Sequence, residues 1–486
     1  ICAELEQLPE VRHAEPDYLM KNISTSTNDP LMWQQWHLRK IQAHWAWDYQ
    51  RGNPEVIVSV FEGLDWAHPD LAEILWQNLG EDADGDGHTM ELSGGEWFFD
   101  PGDLNCIDDD GDGYIDDLFG WDFMDGISGT SSVPEGEDID TPDLDPWDEI
   151  GLGHGSHCTG IVGAVTDNGV GISGLNWNTK LAALRTDFTY NTGGGGIHGA
   201  HVTDAVIEAM AYAIVHDIKI WSLSYGCNHY SGLMREIISN AWDSSGVLIA
   251  GGAGNDNSDE LFYPAAYIHV ISVASTDDSE HRSGFSNFGT WIDICAPGSA
   301  IYSTFPRHSS DGFGYRHNSG TSMATPVVAG VLALVKSEYP DSSNAFIYER
   351  VVENTDTIPD EWYRDGLMGS GRVNAYKALY ADRFPMLSIT DFRLEGREDG
   401  DSMFSVGETV YVHIQISNSL DWEPATGVSM HFGADDIGIT YSDTMLSLPD
   451  IVPGGSTTPD ETPFFIVGPE FIVGRDVPFT LRIDTD

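Results

Sequence analysis

Continuous apolar runs in one part of the chain and strict alternation in another predict two kinds of β-structure. VIVSVFE at residues 56–62 is almost unbroken apolar sequence, the signature of a strand covered on both faces. LAALRTD at 181–187 and VLIAGGAGN at 247–255 have the same texture. A helical pattern at 203–215 runs into IKIWSLSYG at 218–226, a strand ending at Gly226, and residues 324–335 read as a buried helix. Beyond Phe384 the pattern changes. Val410, Val412, Ile414 and Ile416 alternate with Tyr411, His413 and Gln415, and short strands near 428–432 and 464–467 are separated by Gly/Pro/Asp turns, which predicts an all-β sandwich of the Ig-like kind over 386–486.

Composition bounds this picture. A chain of 486 residues, 41% hydrophobic, is long enough for one large core and a smaller domain. Its 22 basic against 78 acidic residues give a formal charge of −56, which argues against nucleic acid or an anionic membrane as partner and suits a salt-tolerant or calcium-loaded surface. No run of apolar residues is long enough to span a membrane. Because the sequence starts at Ile1, any signal peptide is expected to lie outside it. The cysteines, Cys2, Cys106, Cys158, Cys227 and Cys295, are spaced too widely for a zinc site, and without Cys2 the other four allow three pairings.

The strongest candidate chemistry lies in SGTSMATPVVAG, residues 319–330. Ser322 is delivered by a small-residue turn to the start of the buried helix, where unpaired N–H groups and the helix dipole favour the negative charge of an acyl-transfer intermediate. Pro326 is expected in the first turn, where its missing N–H costs little. The plainer alternative is a serine capping an ordinary core helix. This stretch resembles the serine segment of the subtilisin-like proteases. GHGSHCTG, with His154, resembles their histidine segment, and VLIAGGAGN ends at Asn255, the position of their oxyanion asparagine. The resemblance covers roughly residues 33–379. It implies an α/β fold, a doubly wound and mostly parallel sheet with helices on both faces, in a catalytic domain over 26–383. It also implies a secreted serine endopeptidase with Ser322 as nucleophile, His154 as base and Asn255 beside the Ser322 N–H. Polypeptide substrates would lie along Ser222, Leu223 and Ser224 on one side and Gly252, Ala253 and Gly254 on the other, with Ser224 in place of the usual glycine. Residues 1–25 resemble the end of a propeptide, which would act as the protein's own inhibitor; the plainer alternative is a generic amphipathic leader.

The third triad member departs from the pattern. Subtilases carry Asp-Ser/Thr-Gly at the end of the first core strand, whereas FEGLDWAHPDL is one residue shorter and puts Glu62 before Gly63. Glu62 is expected to orient His154, its extra methylene offsetting the deletion. Asp65 is the rival acid, and a third possibility is no competent acid at all, which would leave a catalytically impaired binding or adhesion module. His157, three residues after His154, and His68 are expected to be structural.

Residues 80–149 form an acidic insertion with two carboxylate loops. Asp82, Asp84 and Asp86 lead into Gly87, and NCIDDDGDGYIDD supplies Asn105, Asp108, Asp110, Asp112, Asp116 and Asp117. Alternate acidic residues closed by a glycine turn direct hard oxygens to one centre, the chemistry of structural Ca2+. Neither loop has a Glu at its twelfth position. A passive calcium-binding surface protein would leave the serine, histidine and asparagine segments without purpose.

Overall fold

The computed structural model describes residues 25–486 except 127–131, 149, 193–195, 310–312 and 381–386 and, in the C-terminal part, 397–405, 419–424, 435–438, 442–444, 453, 460–461, 463, 468–478 and 485–486. The propeptide expected over 1–25 lies almost wholly outside the described residues. The chain divides into two compact units, one through Leu379 and one from Tyr380.

The first unit is built on seven strands: β1 (Ile57–Ser59), β2 (Gly120–Asp122), β3 (Lys180–Arg185), β4 (Ile220–Leu223), β5 (Leu248–Gly252), β6 (Val270–Thr276) and β7 (Ile294–Pro297). They stand in the order β7-β6-β5-β4-β1-β3-β2, and every pairing is parallel. β4, β5, β6 and β7 are buried at every residue, as strands covered on both faces must be. Because β1 lies between β4 and β3, and β5 follows β4, the chain leaving the C-terminal ends of β1, β4 and β5 brings Glu62, Ser224 and Asn255 to one rim.

Four long helices serve this sheet: α1 (His154–Gly163), α2 (Thr203–Val215), α3 (Gly232–Ser245) and α4 (Thr321–Glu338). α4 is buried around nearly its whole circumference. Its start corrects the sequence expectation, because it begins at Thr321 and leaves Pro326 in the second turn. A proline there cannot donate to the Ser322 carbonyl four residues back. That carbonyl accepts instead from Ser224 Oγ at 2.8 Å and from Cys158 Sγ at 3.3 Å, so the missing helical bond is replaced by side chains from two other elements.

In the second unit, strand Thr409–Asn418 buries every second residue and pairs antiparallel with Leu387–Gly396. Its Val410, Val412, Ile414 and Ile416 share one core with Met430 of Ser429–Ala434 and with Leu446, which belong to a second antiparallel sheet. Two sheets around one apolar layer make a sandwich. Among the described residues no helix is long and apolar enough to cross a membrane, and Cys106, Cys158, Cys227 and Cys295 are all free thiols.

Candidate active site

After β1 the backbone turns sharply. Phe61 has φ +54, a left-handed conformation that costs a bulky residue about 1–3 kcal/mol. Three contacts hold it there: the ring is fully buried, sits edge-on to Trp221 at 5.5 Å, and the Phe61 carbonyl accepts from Thr186 Oγ1 at 2.8 Å. The turn directs Glu62 beneath the first turn of α1. Glu62 Oε2 lies 2.5 Å from His154 Nδ1 with the carboxylate almost fully buried. Gly155 permits this approach, since any side chain there would collide with the Gly63 carbonyl and with Glu62 Cβ.

His154 opens α1. The N–H groups of Gly151, Leu152 and Gly153 all donate to the Asp148 carboxylate, at 2.9, 3.1 and 2.7 Å. Burial alone would lower the His154 pKa, but the Glu62 charge and hydrogen bond outweigh it, and the net shift is upward from 6.5. His157 shows the opposite balance on the same helix. Fully buried, with Nε2 3.0 Å from the carbonyls of Ile301 and Arg316, it is pushed down to about 3 and stays neutral. His68 is fixed between the Gly314 carbonyl and the Asp70 N–H, and burial takes it to about 4.

Asp65 is engaged elsewhere. Both its oxygens accept from the Arg307 guanidinium at 2.9 Å, and Oδ2 also accepts the Arg307 N–H. The carboxylate in contact with His154 is therefore Glu62. Next to it lies a group that the sequence did not single out: Asp187, whose Oδ1 accepts the Gly63 N–H at 2.8 Å. Burial, reinforced by the Glu62 charge, pushes the Asp187 carboxyl up to about 8.

Ser322 is the second residue of α4, and its Oγ donates to the Ser224 carbonyl at 3.0 Å. Asn255 is oriented by its Oδ1, which accepts from Thr321 N at 2.9 Å and from Thr321 Oγ1 at 3.2 Å. A methyl group built on Gly320 would stand 3.5 Å from both Asn255 Nδ2 and Ser322 N, so the two donors converge on the space that glycine leaves open. His154, Ser322 and Asn255 line one cleft of about 770 Å³ with Asp187, Tyr225 and Met234. A second of about 240 Å³ adjoins it, lined by Ser224, Gly252, Gly254, Asp256 and Phe262 with Ser322. The side chains of Ser222, Leu223 and Ala253 are fully buried and line neither cleft.

A sequence profile of the subtilase family matches residues 53–374. The chain belongs to the subtilase family. It is 33% identical to thermitase of Thermoactinomyces vulgaris over 354 residues, which is 72% of this chain and 98% of thermitase. It is 29% identical to a thermophilic serine proteinase of a Bacillus species over 78% of this chain and 75% of the relative. A solved protease from Pseudoalteromonas arctica superposes with a TM-score of 0.56 at 25% identity, covering 74% of this chain and 99% of that one. The protein is thus a subtilase and a serine endopeptidase, and the reading as an inactive binding module finds no support in these likenesses.

In this subtilase the acidic insertion forms two compact turns. In the first, the N–H groups of Gly85, Asp86 and Gly87 donate to Asp82. In the second, those of Gly111, Asp112 and Gly113 donate to Asp108. Oxygens of Asp82 and Asp84 gather within 4.8 Å of one from Asp103, and Asp110 and Asp117 gather likewise with Glu81. Asp112 joins Asp110 and His216, while Asp86 groups with His88 and Asp100. Asp108 and Asp116 supply no oxygen to these clusters, although the Asp116 N–H donates to Glu81 Oε2 at 3.1 Å. Asn105 Oδ1 accepts the Ile107 N–H, and Asp116 accepts those of Asn105 and Cys106. Two of these sets fit a hard cation: Asp82, Asp84 and Asp103, and Glu81, Asp110 and Asp117, are all carboxylate, and Asp103 Oδ2 is buried without any hydrogen-bond partner.

Proposed function

We propose that this endopeptidase cleaves extended polypeptides through an acyl-enzyme carried by Ser322, with His154 as general base and then acid, and Glu62 as the triad carboxylate. The observation that carries the reading is the 2.5 Å contact of Glu62 with His154 Nδ1 at a cleft shared with Ser322 and Asn255. In the reaction Ser322 Oγ leaves the Ser224 carbonyl and turns to His154 Nε2 across the cleft they share. As Oγ attacks the scissile carbonyl, Nε2 takes its proton, and Glu62 stabilises the resulting imidazolium through Nδ1–H. The carbonyl oxygen becomes an oxyanion between Ser322 N–H and the Asn255 amide, each donor contributing roughly 3–4 kcal/mol to the transition state. Its collapse expels the amine, which receives the proton from His154, and water then hydrolyses the ester by the reverse roles.

The small residues Gly252 and Gly254, with Gly226 opposite, leave room for a substrate backbone to lie as an added strand. We assign Ca2+ to both acidic loops, where it would neutralise clustered carboxylates and add stability without entering the chemistry. Such loops fill readily where calcium is near millimolar, which supports reading the enzyme as secreted, and the propeptide-like N-terminal segment supports reading it as held inactive until that segment is removed. A fluorophosphonate probe tests the core of this reading. It should label the mature protein and lose all labelling in Ser322→Ala; labelling that survives the substitution would mean another nucleophile.

A further inference from the structure

The two acidic loops are copies of one motif, and each is completed by a carboxylate from the segment leading into the other. Asp82-Ala-Asp84-Gly-Asp86-Gly and Asp108-Asp-Asp110-Gly-Asp112-Gly share their acidic positions, and Gly85, Gly87, Gly111 and Gly113 all have positive φ. In both, the first Asp accepts the N–H groups of the fourth, fifth and sixth residues. The N–H groups of the second and third residues leave the loop. Those of Ala83 and Asp84 donate to Asp103 Oδ1, at 2.9 and 3.5 Å. Those of Asp109 and Asp110 donate to Glu81 Oε1, at 2.9 and 3.1 Å. Glu81 directly precedes the first loop and Asp103 stands shortly before the second, and both are fully buried. Asp103 then presents its remaining oxygen, buried and unpartnered, toward Asp82 and Asp84.

Each loop lacks the twelfth-position Glu that closes a self-contained calcium loop. Building on the assignment of Ca2+ to these loops, we propose that Asp103 closes the first site and Glu81 the second, so that the two ions bind with positive coupling. Ordering the first loop around an ion fixes Asp82 and with it the adjoining Glu81, which preorganises the second site. Ordering the second loop holds Asp103 in the same way. The coupling is reciprocal by linkage and of ordinary size for such devices, a ~5- to 150-fold change in affinity.

Calorimetric titration of the calcium-stripped full chain with Ca2+ tests this, with circular dichroism confirming the fold of each variant. Asp103→Asn should remove one bound ion and weaken the ion at the second loop by ~5-fold or more. Glu81→Gln should do the converse. An unchanged stoichiometry and affinity in Asp103→Asn would remove it as a ligand, and loss of one ion with the other's Kd unaltered would refute the coupling. Should Asp103→Asn not fold, Asp84→Asn, an exposed ligand of the first loop, reads the same coupling. The underlying calcium assignment fails separately, if Asp110→Asn combined with Asp112→Asn binds as much Ca2+ as the parent.

Discussion

The cleft and the acidic insertion both bury carboxylates, and they neutralise them by different means. At the cleft Glu62 meets His154 and, close by, Asp65 meets Arg307, while Asp187 takes a backbone N–H. In the two acidic loops of the insertion the carboxylates meet backbone N–H groups, neutral side chains such as those of Asn78 and Tyr212, and one another, and the ion pairs found there among the described residues are to His88 and His216. A buried acid with a fixed cation is complete by itself, whereas a group of acids without one calls for an external charge. The difference predicts that chemistry at the cleft will depend on single residues and stability of the insertion on the solution.

The largest expected effect tests the pairing that matters most. Glu62→Gln keeps the shape of the side chain but removes the charge facing His154, and should lower kcat for a peptide substrate by roughly three to four orders of magnitude. Asp65→Asn should change kcat far less, since Asp65 serves Arg307; a reversal of the two effects would move the triad acid to Asp65. Calcium comes next. Chelation with EDTA should lower the melting temperature by several degrees and speed inactivation, because an ion bound only to the folded state stabilises it by about 2.7 kcal/mol at a hundredfold excess over Kd. A melting temperature indifferent to EDTA would erase the contrast between the regions.

A pH profile gives a smaller but sharper reading. The base must be neutral to act, and Glu62 holds the His154 pKa above 6.5, so the acid limb of kcat/KM should fall above pH 6.5 in the parent. The limb should move downward in Glu62→Gln, where the largest influence opposing burial is gone and only the weaker charges of Asp187 and Asp148 remain. The smallest effect concerns Asp187, whose folded-state pKa of about 8 lies above its ordinary 3.8. A raised carboxyl favours the fold below 3.8, and that contribution is lost as pH climbs through about 8. Asp187→Asn keeps an acceptor for the Gly63 N–H, so its melting temperature should gain on the parent's between pH 4 and 8 and run parallel above that. Parallel curves throughout would show that Asp187 does not titrate in this window.

The strand runs, the alternation at 410–416 and the serine, histidine and asparagine segments were legible because each is a local pattern. The choice between Glu62 and Asp65 was not, because it depends on Arg307, 242 residues further along. Asp187 reaches Gly63 across 124 residues and stands at the end of an ordinary core strand run, so only the parallel pairing of β1 with β3 makes it a neighbour of the triad. Glu81 and Asp103 fall outside the repeated motif they serve. A search for internal repeats would have matched the two loops, but not their exchanged carboxylates. The start of α4 is hidden for a similar reason: by sequence Pro326 fits a first turn, and only the side chains of Ser224 and Cys158, from the exit of β4 and from α1, replace the bond its ring prevents.

The left-handed turn at Phe61 has a consequence for descent. Shortening the segment and lengthening the acid compensate each other, so neither step is neutral alone. Glu62→Asp by itself withdraws the carboxylate from His154 by a methylene, and an inserted residue by itself drives the longer side chain into the imidazole. A library varying both features should therefore hold active members in two separate combinations, Glu with the short turn and Asp with the long one. In this chain either change made singly, Glu62→Asp or one inserted residue, should lower activity, and the two together should restore it.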